Sequence, residues 1–217
     1  MKTEIAKGGV YLVVDPSMSK EKLLQKLSIV LLENICAVQV WDNMNNIDNV
    51  DALLKSICDL CAKHNTPVLI NNQWQLLKQY DFDGIHFDEL PQDIQAIKQE
   101  IGKDFICGVT CNNEITVAEK AAAMQFDYVS FCSMFPSSTS NSCELVSFET
   151  VQKVTAVTNL PVFLAGGIRL ENIDSLNELN YAGIAVISGI MSAENPQLIT
   201  QQYQQKINQH IYDKQNH

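Results

Sequence analysis

Two short segments near the end of the chain have the composition of an anion cradle. Ala165-Gly166-Gly167-Ile168 and Val186-Ile187-Ser188-Gly189-Ile190 each follow a run of apolar residues. Glycines after the first run let backbone N–H groups approach a ligand closely. Ser188 and Gly189 after the second would open a short helical turn whose free N–H groups point outward. A phosphate shared by the two segments is the chemistry they suggest, and a pair of tight turns is the other use of the same residues. Arg169, the only arginine, directly follows the first segment. It can add a bidentate contact to a phosphate or lie on a helix surface.

A second set of polar residues stands at the ends of other apolar runs: Asp15, Gln39 and Trp41, Asn71 and Asn72, His86 and Asp88, Thr110 and Cys111, Cys132 and Ser133. His86 is a candidate general acid or base near neutral pH. His86, Cys111 and Cys132 end successive runs, so they are also candidates for a soft-metal site or a reactive thiolate. Free cysteine is otherwise a small core residue.

The elements that must position these residues alternate with regularity. The apolar runs are Val10–Val14, Cys36–Trp41, Pro67–Ile70, Gly84–Phe87, Phe105–Val109, Tyr128–Phe131, Val162–Ala165 and Ile184–Ile187. They are short and nearly continuous, as parallel strands buried on both faces should be. Amphipathic patterns lie between them over Ser19–Glu33, Asp48–Lys63, Pro91–Ile101, Asn113–Gln125, Ser147–Val157 and Asn172–Leu179. A last helix starts near Pro196. Pro91 suits a first helical turn. Such alternation implies right-handed βαβ units. Eight of them predict one α/β domain over residues 1–217, a single (β/α)8 TIM barrel, with an open doubly wound sheet as the alternative. The long connection from Ser133 to Glu144 then falls on the ligand-binding face.

Composition narrows the partners. Apolar residues are 46% and aromatics 7% of 217 residues, so the core is aliphatic. The net charge of −10 argues against nucleic acid and against anionic membrane. The seven cysteines, an odd number, and the lack of a signal-like h-region suggest reduced thiols and a cytoplasmic location. Cys58 and Cys61 read as one helix face rather than as half of a zinc site. Neither a monomer nor a homo-oligomer is selected.

Taken in order, several segments resemble the thiamine phosphate synthase family and its relative, the thiazole tautomerase. They are Tyr11-Leu12-Val13-Val14-Asp15, Val38-Gln39, Val68-Leu69-Ile70-Asn71-Asn72, Gly84-Ile85-His86, Gly108-Val109-Thr110, Asp127-Tyr128-Val129, Phe135-Pro136-Ser137-Ser138-Thr139, Gly166-Gly167-Ile168 and the stretch Ala182 to Met191. The resemblance implies condensation of a thiazole phosphate with a pyrimidine diphosphate, with loss of pyrophosphate. It implies that Gln39 contacts the diphosphate or pyrimidine region, that Thr110 contacts the diphosphate and that Asn71 lies beside the metal. It places Ser137, Thr139, Gly167, Ile187 and Ser188 on the thiazole phosphate. Mg²⁺ would be held by Asn72 and Glu89, with Asp88 as the substitute for Glu89.

The charged machinery departs from the family pattern. Trp41 and Gln73 stand where the family has Arg, Asn43 and Ser140 where it has Lys, and Asn72 where it has a metal-binding Asp. Trp41 would stack on a ligand ring or fill the space left by the arginine. The tautomerase's histidine is replaced by Ser133. Losing one preorganised group that stabilises developing charge costs about 10²–10³ in rate. The functions that follow are a thiamine phosphate synthase-like enzyme, a catalytically degenerate binding or regulatory homologue, and a tautomerase-like enzyme.

Overall fold

Nearly every residue of the eight apolar runs is buried, so each strand is covered on both faces and polar alternation is absent. In the computed structural model, which describes residue 5 and residues 8–45, 48–137 and 144–216, the strands are β1 (Val10–Val14), β2 (Ala37–Val40), β3 (Val68–Asn71), β4 (Gly84–Phe87), β5 (Ile106–Thr110), β6 (Tyr128–Phe131), β7 (Val162–Ala165) and β8 (Gly183–Val186). They pair parallel in chain order, and β1 closes the barrel on β8 through Val10↔Ile184 and Leu12↔Val186. The open-sheet alternative is thereby excluded.

The helices are α1 (Lys20–Val30), α2 (Val50–Lys63), α3 (Ile94–Ile101), α4 (Ile115–Ala123), α5 (Phe148–Val157), the short α6 (Ser188–Met191) and α7 (Pro196–Asn216). Side-chain caps set several starts. Asn49, Asp93 and Ser147 accept from the N–H groups of Ala52, Ala96 and Thr150. Pro91 therefore lies ahead of α3 rather than in its first turn, because Asp93 fixes where the helix begins. Two connections are 3₁₀ rather than α: Trp74–Lys78 between β3 and β4, where the sequence shows no helical pattern, and Ile173–Glu178 between β7 and β8.

The barrel interior holds a buried cluster containing Tyr11, Ala37, Leu69, Ile106, Tyr128 and Phe163. Tyr11, Tyr128 and Phe163 meet with ring centroids 5.3–5.9 Å apart in tilted and edge-on arrangements. Gly108 makes room for them, since a Cβ there would overlap the Tyr128 ring. Leu23, Leu27, Leu53, Leu54 and Ile57 seal helices onto the outside of the strands, and Cys58 and Cys61 share that buried helix face. The aromatic layer is the floor on which the polar strand ends sit.

Candidate functional site

A cavity of about 750 Å³ opens above this floor. It gathers Gln39, Trp41, Asn71, His86, Asp88, Glu89, Thr110, Ser137, Gly166, Gly167, Arg169, Ile187 and Ser188. Strand ends from around the barrel converge there because parallel closure puts every C-terminal strand end on one face. Thr139 and Ser140 lie outside the described residues, as do Ser138 and Cys143.

On the β7–β8 side, Gly166 and Gly167 have φ of +84° and +66°. Both also face the loop after β6. Phe135 N–H donates to Gly166 O at 3.0 Å, and a Cβ on Gly167 would stand 2.5 Å from Phe135 O. The double glycine therefore admits the neighbouring loop as well as leaving amides uncovered. Among the described residues, no turn or loop bond uses the N–H groups of Gly166, Gly167, Ser188 or Gly189. Asn172 ties the segment down, donating to Gly167 O at 2.9 Å and accepting from Arg169 N–H at 2.7 Å. Arg169 itself is exposed at the cavity wall. Tyr203 on α7, which sequence reasoning missed, donates to Ile168 O at 3.1 Å, and its hydroxyl lies under Gly189. One buried phenol thus props both loops, and only the return of α7 to this end of the barrel reveals it.

At the β1–β4 side, carboxylates are bridged by amides. Asn72 Nδ2 donates to Asp42 Oδ2 and to Asp88 Oδ2, each at 2.8 Å, while Asn72 Oδ1 accepts from Asp88 N–H at 2.9 Å. Asn71 Nδ2 donates to Asp88 Oδ1 at 3.0 Å, and Asn43 Nδ2 to Asp15 Oδ1 at 3.1 Å. Asn72, one of the two residues expected to hold Mg²⁺, does not fit that ion as arranged. The Asn72 amide turns its N–H groups, not its oxygen, toward the two carboxylates, and Mg²⁺ requires oxygen ligands. Among the described residues no three His, Cys, Asp or Glu side chains are grouped to hold a metal. The suggested cluster of His86, Cys111 and Cys132 is corrected by the same observation. Burial pushes the Cys111 thiol up to about 12, which makes it a core thiol rather than a thiolate.

A buried hydrogen-bonded chain crosses the floor from β1 and β2 to β4, β5 and β6. Tyr11 OH donates to Gln39 Oε1 at 2.8 Å and lies 2.9 Å from Tyr128 OH. His86 Nδ1 is 2.8 Å from Tyr128 OH, and His86 Nε2 is 2.9 Å from Thr110 Oγ1. Ser130 Oγ completes the set 3.1 Å from Thr110 Oγ1. Burial lowers the His86 pKa to about 4, against a smaller raising effect of Asp88. The imidazole is therefore neutral at neutral pH. Sequence reasoning found Gln39, His86 and Thr110 but missed Tyr11, Tyr128 and Ser130. The alternate positions of β1 and β6 carried the signal, since Tyr11 and Tyr128 point inward and are polar at one end only.

Trp41 packs against the Tyr11–Val13 layer and borders the cavity. Among the described residues Arg169 is the only cation lining the cavity, where Asp88, Glu89 and Glu171 are also found.

The fold and cavity define a (β/α)8 barrel with a polar ligand cavity at the C-terminal strand ends. The sequence pattern described as thiamine monophosphate synthase matches residues 10–190, and the chain belongs to that family. It is 28% identical over 192 residues to the thiamine-phosphate synthase of Methanobrevibacter smithii, covering 88% of this chain and 91% of that one. It is 30% identical over 187 residues to the thiamine-phosphate synthase of Clostridium tetani, covering 86% and 89%. The thiamine phosphate pyrophosphorylase structure from Pyrococcus furiosus superimposes with a TM-score of 0.78 at 21% identity, over 93% of this chain and 96% of that one, which supports the fold.

Proposed function

We propose that this barrel binds a phosphorylated thiazole or pyrimidine precursor of thiamine, with the phosphate on the amides of Gly166, Gly167, Ser188 and Gly189. The observation that carries this reading is the pair of amide-bearing loops at one wall of the cavity, braced by Tyr203 and Asn172. Main-chain donors hold a phosphate without help from side-chain charge. Ser137, Ile187 and Arg169 border the same wall, and Thr139 belongs to the same proposed set by resemblance. Within the family, the activity that fits is the synthase condensation, a group transfer that releases pyrophosphate.

A second reading is favoured by one specific observation. Among the described residues the wall carries one cation and three carboxylates, whereas a diphosphate leaving group needs positive charge. On that reading the chain is a binding homologue that keeps the phosphate loops and does not turn over. The two separate in one experiment: a synthase assay with both precursors and Mg²⁺, run beside calorimetric titration of thiazole phosphate and thiamine phosphate. Turnover abolished by chelator supports the enzyme. Saturable binding without turnover supports the homologue. Neither binding nor turnover removes the thiamine assignment and leaves the barrel standing.

A further inference from the structure

The cavity is lined by Asp88, Glu89 and Glu171 and, among the described residues, by a single cation, Arg169. A second cation stands behind the β8 side of the wall. Lys26 on α1 is half-buried, and its ammonium donates to Met191 O at 2.8 Å and to Ala193 O at 2.6 Å, at the end of the short α6. Among the described residues no carboxylate forms a salt bridge with Lys26, so its charge is directed at main-chain carbonyls. The carbonyl of Met191 and the N–H of Ser192 belong to one peptide unit, and that N–H donates to Ser188 O at 3.0 Å. The carbonyl of Ser188 and the N–H of Gly189 form the next unit. Gly189 lines the cavity, and among the described residues no turn or loop bond uses its N–H. Two peptide units in series therefore run from the Lys26 ammonium to an open amide in the wall. Hydrogen bonds in series polarise one another, so a cation at the carbonyl end makes the far N–H a stronger donor.

We propose that Lys26 is a positioning residue for the phosphate: from behind the wall it holds the turn of α6 in place and lends its charge to the Gly189 amide through the Met191–Ser192 and Ser188–Gly189 peptide units. Two hydrogen bonds and two peptide units put the ammonium roughly 10 Å from the Gly189 nitrogen. At that range a unit charge in a half-buried setting changes an equilibrium constant by about fivefold. Tyr203 braces the same loop with its hydroxyl under Gly189 but brings no charge, so the two supports differ in kind. The proposal rests on the phosphate reading of this wall, but the Gly189 amide is measured without ligand, so the two can fail separately.

Base-catalysed exchange of an amide proton passes through a peptide anion, so a nearby cation speeds it. In the ligand-free protein, water-exchange NMR reads the Gly189 N–H. Lys26→Met should slow its exchange by about fivefold, whereas loss of a merely structural brace would loosen the turn and hasten it. Lys26→Gln keeps a donor without the charge and should slow it likewise, which serves if Lys26→Met does not fold. Lys26→Arg should restore the wild-type rate to within about twofold. Lys22→Met removes an exposed neighbouring cation outside the relay and should change the rate by less than about twofold. Calorimetry then compares thiazole phosphate with the same thiazole lacking its phosphate. Lys26→Met should weaken the first by about fivefold and leave the second unchanged. Faster or unchanged Gly189 exchange in the uncharged variants, unchanged affinity for thiazole phosphate, or equal loss for both thiazoles overturns the proposal. Wild type that binds the two thiazoles equally removes the phosphate reading instead, and the exchange rates alone then decide whether Lys26 acts on the amide.

Discussion

Protonating His86 should loosen the barrel, and the size of the effect follows from its burial. The ring is 6% exposed, and its two nitrogens are engaged with Tyr128 and Thr110. Burial holds its pKa near 4, against 6.5 for an ordinary histidine. Between those values the unfolded chain binds a proton that the folded chain refuses. Stability therefore rises with pH across the window and falls as pH drops from about 6.5 toward 4. At pH 5 the unfolded ring is almost wholly charged and the folded ring almost wholly neutral, a bias of about thirtyfold or about 2 kcal/mol relative to pH 8. Urea denaturation at pH 8, 6 and 5 measures this directly. His86→Gln keeps a donor and an acceptor but cannot titrate, so its stability should fall by about 2 kcal/mol less than that of wild type over the same range. His210, lowered by burial and by Lys214, contributes in the same direction to both proteins and cancels in the comparison. Parallel pH profiles for the two proteins would refute the reasoning, because they would mean that His86 takes its proton as easily folded as unfolded.

Two further substitutions test the two ends of the cavity. Gly167→Ala should destabilise the protein by about 1–3 kcal/mol and weaken phosphate-ligand binding by calorimetry, because φ is +66° and the new Cβ would stand 2.5–2.6 Å from the Phe135 and Pro136 carbonyls; unchanged affinity would mean that this loop does not hold the ligand. Asn72→Asp replaces the bridging N–H groups with a third carboxylate beside Asp42 and Asp88. The variant should melt lower than wild type in chelator and gain Tm on adding Mg²⁺, while ligand-free wild type should show little Mg²⁺ response. Equal responses would show that the amide does not stand in for a cation.

The sequence by itself determined the eight-fold alternation, and with it the barrel, because continuous Val- and Ile-rich runs such as Val10–Val14 can be satisfied only by burial on both faces. It also determined the ring of strand-end candidates, since parallel closure carries Gln39, Asn71, His86, Thr110, Gly166 and Ser188 to one face whatever the details. Helix starts were legible to within a few residues, with segments opening at Asp48, Pro91 and Ser147, while the side-chain caps at Asn49, Asp93 and Ser147 came from the structure. Only the tertiary structure decided which candidates touch. Tyr203 is far along the chain from Ile168 and Gly189, and nothing in its own neighbourhood marks it as the brace beneath two loops. Asn72 reads as a weakened metal ligand until Asp42 and Asp88 are seen on either side of its amide. Tyr11, Tyr128 and His86 come from three different strands, and the hydrogen-bonded chain among them exists only once barrel closure brings their hydroxyls and ring nitrogen within hydrogen-bonding distance. Periodicity records which face a residue takes. The direction of a hydrogen bond depends on the partner across the barrel, and that partner is set by closure rather than by neighbours in sequence.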